Sequence, residues 1–214
     1  MTLRILVTAG PTREPFDPIR FLSNRSTGKM GFSVAEAAAE RGHSVRLIAG
    51  PVCLSTPHGI ERIDVVTAEE MYQAVVSNFE WCKVLVMVAA VSDWRPATVY
   101  PKKLKKHSQE QSLHLVRTRD ILRSIMARKA GRIVVGFAAE SDHLEAEAVR
   151  KLNEKNLDMI VCNDVLQEDA AFKSDTNRVV IFTRDGVREA LPLLLKKEVA
   201  AHIINRLEHE FVGA

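Results

Sequence analysis

Thr8-Ala9-Gly10-Pro11-Thr12-Arg13-Glu14-Pro15, running on to Arg20-Phe21-Leu22-Ser23-Asn24-Arg25-Ser26-Thr27-Gly28-Lys29-Met30-Gly31, is the stretch whose reading decides the fold. A short apolar strand, Arg4 to Val7, enters it, and an alanine-rich helix, Met30 to Arg41, leaves it. A strand followed by a helix opens an α/β unit, where the connecting loop is usually ~2–6 residues long. Here the connection is far longer and full of Gly, Pro, Ser, Thr, Asn and Arg. Such a loop is expected to carry function as well as join two elements.

Working outward, Ile5-Leu6-Val7 is apolar without alternation, as in a strand buried on both faces of a parallel sheet. The helix ends at Gly42, a residue suited to the left-handed position after a helix. Ser44 to Ile48 predicts a second strand, closed by Ala49-Gly50-Pro51. Thr67 with Glu70 forms a capping box and predicts a helix to about Phe79. Val84 to Ala90 is the most apolar run and predicts a central strand. This β-α-β-α-β alternation implies an α/β fold with a doubly wound, Rossmann-like, mostly parallel sheet and right-handed crossovers.

The pattern then breaks at Ser92-Asp93-Trp94-Arg95-Pro96. Lys102, Lys103, Lys105 and Lys106 follow in a polar stretch reaching Gln111, and residues 94–112 read as a basic flap with too little apolar surface to pack rigidly. Leu113 to Arg117 predicts a short edge strand, and Asp120 to Arg128 a helix capped by Thr118. Arg132 to Ala138 and Leu157 to Cys162 predict further sheet strands, separated by a helix from Asp142 to Lys155. Arg178 to Thr183 and a following strand flank Asp185-Gly186, the signature of an antiparallel edge hairpin. Lys196 to Phe211 predicts a final amphipathic helix. The 214 residues fit one domain, 1–214.

Composition narrows the class of protein. The hydrophobic fraction of 46% and charged fraction of 27% are those of a soluble globular domain. A net charge of +3 gives no case for a nucleic-acid partner but suits an enzyme of phosphorylated substrates. The run Val84 to Val91 falls far short of the ~20 residues that span a bilayer, so no membrane partner is expected. Cys53, Cys82 and Cys162 form no CxxC pair and no metal spacing. With an N-terminus that lacks a signal-peptide shape, they indicate a reduced, cytoplasmic protein.

Four groups of residues could carry chemistry. The dinucleotide fingerprint G-x-G-x-x-G is absent, and Gly28-Lys29-Met30 departs from the Walker A pattern. What remains is Ser26-Thr27-Gly28-Lys29-Met30-Gly31 opening a helix, where free N–H groups and the positive dipole end suit a phosphate. A plain helix start with glycines for close packing would read the same way. The carboxyl end of the central strand, Ala89-Ala90-Val91-Ser92-Asp93, lies where open α/β sheets bind ligands, and Asp93 could accept from a ribose or base or simply cap a turn. The flap lysines could close on phosphates or form a solvated face. Phe137, at a strand end, is suited either to stacking on a base or to the core. Lys151 and Lys155 lie one turn apart on the next helix. No His-carboxylate motif suggests a resident metal, and a divalent ion would arrive with nucleotide phosphates.

Taken in order, Ala9 to Pro15, Arg20 to Asn24, Ser26 to Gly31, Ala89 to Arg95, Lys103 to Lys106, Gly136 to Glu140, Lys155 to Asp158 and Asn163-Asp164 resemble the phosphopantothenate–cysteine ligase family of coenzyme A biosynthesis in its bacterial form. The resemblance covers nearly the whole chain. It implies a CTP-dependent ligase that uses Mg²⁺ to join 4′-phosphopantothenate to cysteine through an acyl-cytidylate. Asn24 falls on the family's catalytic asparagine, Arg20 on an arginine of the same site and Lys103 on the flap lysine at the phosphates. Met87-Val88-Ala89, Ala90 and Asp93 match the cytidine region. Gly10 and the Ser26-Thr27-Gly28-Lys29 helix start match the phosphate loop. Arg119-Asp120-Ile121-Leu122, Phe137, Lys151 and Lys155 match nucleotide-contacting positions. Thr118-Arg119-Asp120 stands where the family often has Asn-Pro-Asp, so only backbone contacts are carried over at Arg119. The resemblance also implies a homodimer. Many relatives are fused to a flavin-dependent decarboxylase; this chain begins at the ligase strand, so no FMN is expected. A nicotinamide-dependent reductase is the alternative enzyme, but neither Tyr72 nor Tyr100 has a lysine four residues on. A non-catalytic nucleotide-binding regulator is the third reading.

Overall fold

The computed structural model describes residues 2–105, 112–140, 143–164 and 174–210. Strand β1 (Arg4–Ala9) leads into the long loop, which folds on itself as a small antiparallel hairpin, β2 (Arg13–Pro15) with β3 (Phe21–Ser23). Helix α1 (Lys29–Glu40) then returns the chain to β4 (Ser44–Ala49). The hairpin corrects the expectation of an irregular loop. A strand absent from the sequence reading, β5 (Glu61–Asp64), follows and pairs with β4. Helix α2 (Ala68–Phe79) begins at Thr67, whose hydroxyl accepts from Glu70 N at 3.2 Å, while the Glu70 carboxylate reaches back to Val66 N at 2.7 Å.

Strand β6 (Val84–Met87) is followed by a two-stranded ribbon of β7 (Trp94–Pro96) and β8 (Leu115–Arg117). The expected edge strand near 113–117 therefore pairs with β7, outside the main sheet. Next come α3 (Ile121–Ile125), extended by a 3₁₀ turn at Met126–Arg128, then β9 (Ile133–Glu140), α4 (Leu144–Glu154) and β10 (Met159–Asp164). The cap of α3 is Asp120, which accepts from Arg123 N at 3.1 Å; Thr118 instead donates its hydroxyl to Ser92 O at 2.6 Å. The expected cap at Asp142 lies outside the described residues. The C-terminal part contains β11 (Thr176–Asn177), β12 (Val179–Thr183), β13 (Arg188–Ala190), β14 (Leu194–Leu195) and α5 (Lys196–Glu210).

The main sheet runs β13-β12-β10-β9-β6-β1-β4-β5. From β5 to β10 the pairs are parallel, and β12 and β13 continue antiparallel around the Asp185-Gly186 turn. Helices cover both faces, so alternate residues of one strand enter different cores. Ile5, Val7, Val84 and Val86 pack with Phe32 of α1 and Ile203 and Leu207 of α5. Leu6 and Leu85 pack with Met71 and Phe79 of α2, Ile125 of α3 and Leu152 of α4. This two-sided burial is why the strands read as unbroken apolar runs. Each such side chain contributes roughly 1.5–3 kcal/mol relative to exposure. Between β1 and β6 the strand order reverses, which opens a crevice at their carboxyl ends.

Candidate active site

The opening loop is pinned at several points. Buried Asp17 accepts from Ile19 N at 2.9 Å and Arg20 N at 2.8 Å, and its other oxygen accepts from Arg20 Nε at 2.9 Å and Nη2 at 2.6 Å. The hydrogen bonds from Arg20, foremost, hold this carboxyl well below the usual carboxylate range. Leu104 N also donates to Asp17 at 3.2 Å, and Arg20 Nη2 donates to Leu104 O at 3.1 Å. Tyr100 N donates to Phe16 O at 2.9 Å. The expected flap is thus anchored along residues 94–105 by its ribbon and by this clasp, which corrects the reading of 94–112 as uniformly unpacked. Lys106 and the rest of 106–111 lie outside the described residues.

The exit of β6 is fixed in the same way. Ala89 N donates to Thr8 Oγ1 at 3.1 Å, Ala90 N to Gly10 O at 2.9 Å and Ser92 N to Thr12 Oγ1 at 3.0 Å. Ala90 O accepts from Thr12 N at 3.2 Å and from Asn24 Nδ2 at 2.9 Å. The exposed Asn24 side chain is thereby held against the end of the central strand.

Helix α1 starts at Gly28, whose φ of +80° favours glycine, and no side chain caps it there. Gly31, one turn in, lies against β1: a Cβ would fall 2.6 Å from Ala9 Cβ and 2.9 Å from Thr8 O. Close packing at Gly31 and a helix start without a side-chain cap coexist.

Two cavities open at the carboxyl ends of the strands. One, of about 290 Å³, is lined by Gly10, Ser26, Thr27, Gly28, Lys29, Val88, Ala89, Ala90, Asp93, Phe137 and Lys151, and also by Asn163, Asn177 and Lys196. The other, of about 450 Å³, is lined by Met87, Ala89, Asp93, Trp94, Arg117, Arg119, Asp120, Ile121, Leu122, Phe137 and Lys155. Asp93 and Phe137 stand on the border, shared by both. An elongated ligand with a planar part and an anionic part could occupy both at once.

The charged groups are arranged in pairs. Lys155 Nζ lies 3.2 Å from Asp120 Oδ2, and Lys29 Nζ lies 2.6 Å from Asp175 Oδ1. Lys196 is buried and donates to Ser174 O; burial first, then the nearby Lys29 charge, lowers its pKa. Arg119 turns away, over the Tyr72 ring at 4.8 Å and 3.4 Å from Glu69.

Every residue singled out as nucleotide-binding lines one cavity or the other, apart from Lys103. Lys103, Arg20 and Asn24 line neither cavity. Asn24 is bonded at the rim through Ala90, Arg20 serves the clasp, and Lys103 is exposed beside Leu104. Sequence reasoning named Asn163 only within the Asn163-Asp164 motif, without a role, and did not single out Asn177 or Lys196. Asn163 carried a signal, since it ends a parallel strand; Asn177 and Lys196 come from the C-terminal segment and carried none.

A family model described as the DNA/pantothenate metabolism flavoprotein C-terminal domain matches residues 1–211. The chain is 46% identical over 204 residues to the coenzyme A biosynthesis bifunctional protein CoaBC of Bacillus subtilis (strain 168), covering 95% of this chain and 50% of that protein. The chain spans about half the length of the curated relatives it matches. A crystal structure of the C-terminal domain of CoaBC superposes with a TM-score of 0.85 at 39% identity, covering 99% of this chain and 97% of that one. A solved complex of a Cab2 mutant with phosphopantothenate-cysteine shares the fold, with a TM-score of 0.78 at 17% identity over 97% of this chain and 87% of that one.

Proposed function

The chain belongs to the DNA/pantothenate metabolism flavoprotein C-terminal domain family, and from that premise we propose that it acts as a single domain joining 4′-phosphopantothenate to L-cysteine with cleavage of CTP. The observation that carries this reading is the pair of cavities meeting at Asp93 and Phe137, with Asn24 bonded to Ala90 at their rim. The name of the relatives, which sets them in coenzyme A biosynthesis, supports it.

The chemistry proceeds in two steps. A carboxylate oxygen of phosphopantothenate attacks the α-phosphorus of CTP, the bond to the bridging oxygen breaks, and pyrophosphate leaves. The cysteine amine then attacks the acyl carbon, a proton is lost from nitrogen, and the acyl C–O bond breaks, so that CMP leaves with the oxygen that came from the carboxylate. The protein's work is positioning and charge neutralisation. Asp93 and the Met87–Ala89 backbone receive the nucleoside, Phe137 stacks on it, and Arg119 to Leu122 line its outer side. Ser26 to Lys29, Lys151, Lys155 and Lys103 neutralise phosphate charge. Asn24 orients the activated acyl group, and Arg20 keeps the flap base in place.

Mg²⁺ enters with the triphosphate. Magnesium keeps waters and takes few protein ligands. Neither step calls for a flavin. No helix among the described residues is long and apolar enough to cross a membrane. Cys53, Cys82 and Cys162 are not joined in disulfides, as suits work in the reducing cytoplasm. Exposed Ile19, Phe21, Trp94, Val99 and Leu115 lie on or beside the two small hairpins, and apolar exposure of this kind favours a homodimer.

Incubation with CTP, phosphopantothenate, cysteine and Mg²⁺ should yield pyrophosphate, CMP and a cysteine-dependent amide, with ATP a poorer donor. Absence of the amide with either nucleotide overturns the reading.

A further inference from the structure

One wall of the smaller cavity has no task in the scheme above. It is built from Asn177 at the end of β11 and Lys196 at the start of α5, elements joined by the Asn177–Leu194 pairing of β11 with β14. Both residues are buried, with 5% and 6% of their surface exposed. The Nδ2 atom of Asn177 faces Met30 Sδ at 3.9 Å, while its Oδ1 is buried with no hydrogen-bond partner. An unsatisfied buried acceptor is costly and points to a ligand that donates. Lys196 is a buried cation whose pKa is lowered by burial and by the Lys29 charge and raised in part by Asp175, which pairs with Lys29 at 2.6 Å. Two lysines at one wall favour an anionic group on the ligand.

A nucleotide's ionised phosphates can only accept, so they leave Asn177 Oδ1 unsatisfied. A free amino acid supplies both needs in one small molecule, since its carboxylate accepts and its amine donates. The same cavity is lined by Ala90, whose carbonyl holds Asn24. Resting on the ligase reading, we propose that this wall is the amino-acid subsite: Lys196 receives the α-carboxylate of cysteine, and Asn177 Oδ1 accepts a hydrogen from its amine. The wall selects an α-amino acid over a plain amine and directs the nucleophilic nitrogen toward the rim where Asn24 sits.

The test compares cysteine with cysteamine, which keeps the amine and thiol but lacks the carboxylate. With the unaltered enzyme, kcat/KM for cysteamine should be lower by about 10–100-fold, the effect of losing a charge-assisted hydrogen bond. Equal use of the two overturns the proposal without any variant. Lys196→Gln should raise the KM for cysteine by ~10-fold or more while sparing that for cysteamine, so the preference collapses. Asn177→Ala should weaken both amines alike. A rise in the KM for CTP with an intact cysteine preference would mean that phosphates occupy the wall, and would also overturn the proposal. If the unaltered enzyme makes no cysteine-dependent product at all, the ligase reading itself fails.

Discussion

The side-chain amide of Asn24 donates to the carbonyl oxygen of Ala90 at 2.9 Å, the same oxygen that accepts Thr12 N. One atom thus ties the long opening loop to the end of the central strand from two directions. Asn24 is exposed, so its truncation should leave the fold intact. Asn24→Ala is expected to retain pyrophosphate release from CTP and phosphopantothenate but to lose the amide product. Quenched-flow measurement of both products separates the steps, and equal loss of the two would contradict a role after activation.

Lys103 is exposed and directly precedes Leu104, the residue clasped to Asp17. A lysine there can serve only if the flap brings it to the phosphates during the first step. Lys103→Ala should slow pyrophosphate release by ~10²-fold, as expected on removing a transition-state charge partner. Single-turnover kinetics unchanged from the unaltered enzyme would remove Lys103 from the mechanism.

The Asp17–Arg20 clasp carries a pH signature. The carboxyl of Asp17 is held below its ordinary value of 3.8, chiefly by Arg20. A depressed carboxylate stabilises the folded state above its unfolded value, and that contribution is lost as pH falls below it. Asp17→Asn should therefore lower the melting temperature at pH 7, with the difference shrinking once the pH drops below about 4. It should also speed lysine-specific proteolysis after Lys102, Lys103 or Lys105, because Leu104 loses its anchor. A melting difference that stays constant down to pH 3 would locate the stabilisation elsewhere.

Much of this was legible in the sequence because the signals were local. The capping box at Thr67 and Glu70, the apolar run of β6 and the Asp185-Gly186 turn each announced an element from a few neighbouring residues. Strand β5 was missed because a single residue, Ile60, separates it from a connection containing Pro57 and Gly59, and three of the four residues in its Glu-Arg-Ile-Asp sequence are charged, as suits a sheet edge. Thr118 was misassigned as a cap because two candidates, Thr118 and Asp120, lay within one turn. The tertiary hydrogen bond from Thr118 to Ser92 decided between them. For the site, motif residues at strand ends were readable, since topology alone brings strand ends together. The Asp17–Leu104 clasp and the Asn177–Lys196 wall join segments distant in the chain. Neither Asp17 nor Lys196 looks unlike an ordinary surface residue until the fold buries it.

Gly31 offers a prediction whose sign separates two physical effects. In an exposed helix interior, replacing glycine with alanine stabilises by up to ~1 kcal/mol through helix propensity. Here the added methyl would lie 2.6 Å from Ala9 Cβ and 2.9 Å from Thr8 O, both fixed in β1. Strand β1 is central and buried, so it cannot yield, and α1 must shift outward instead. Gly31→Ala should destabilise by about 1–3 kcal/mol, the usual cost of overpacking. Because the shift moves Ser26 to Lys29 away from Gly10, the affinity for CTP should fall along with stability. Urea unfolding and equilibrium nucleotide binding check the two halves. Stability raised by the substitution would mean that α1 does not press against β1 as closely as these contacts require.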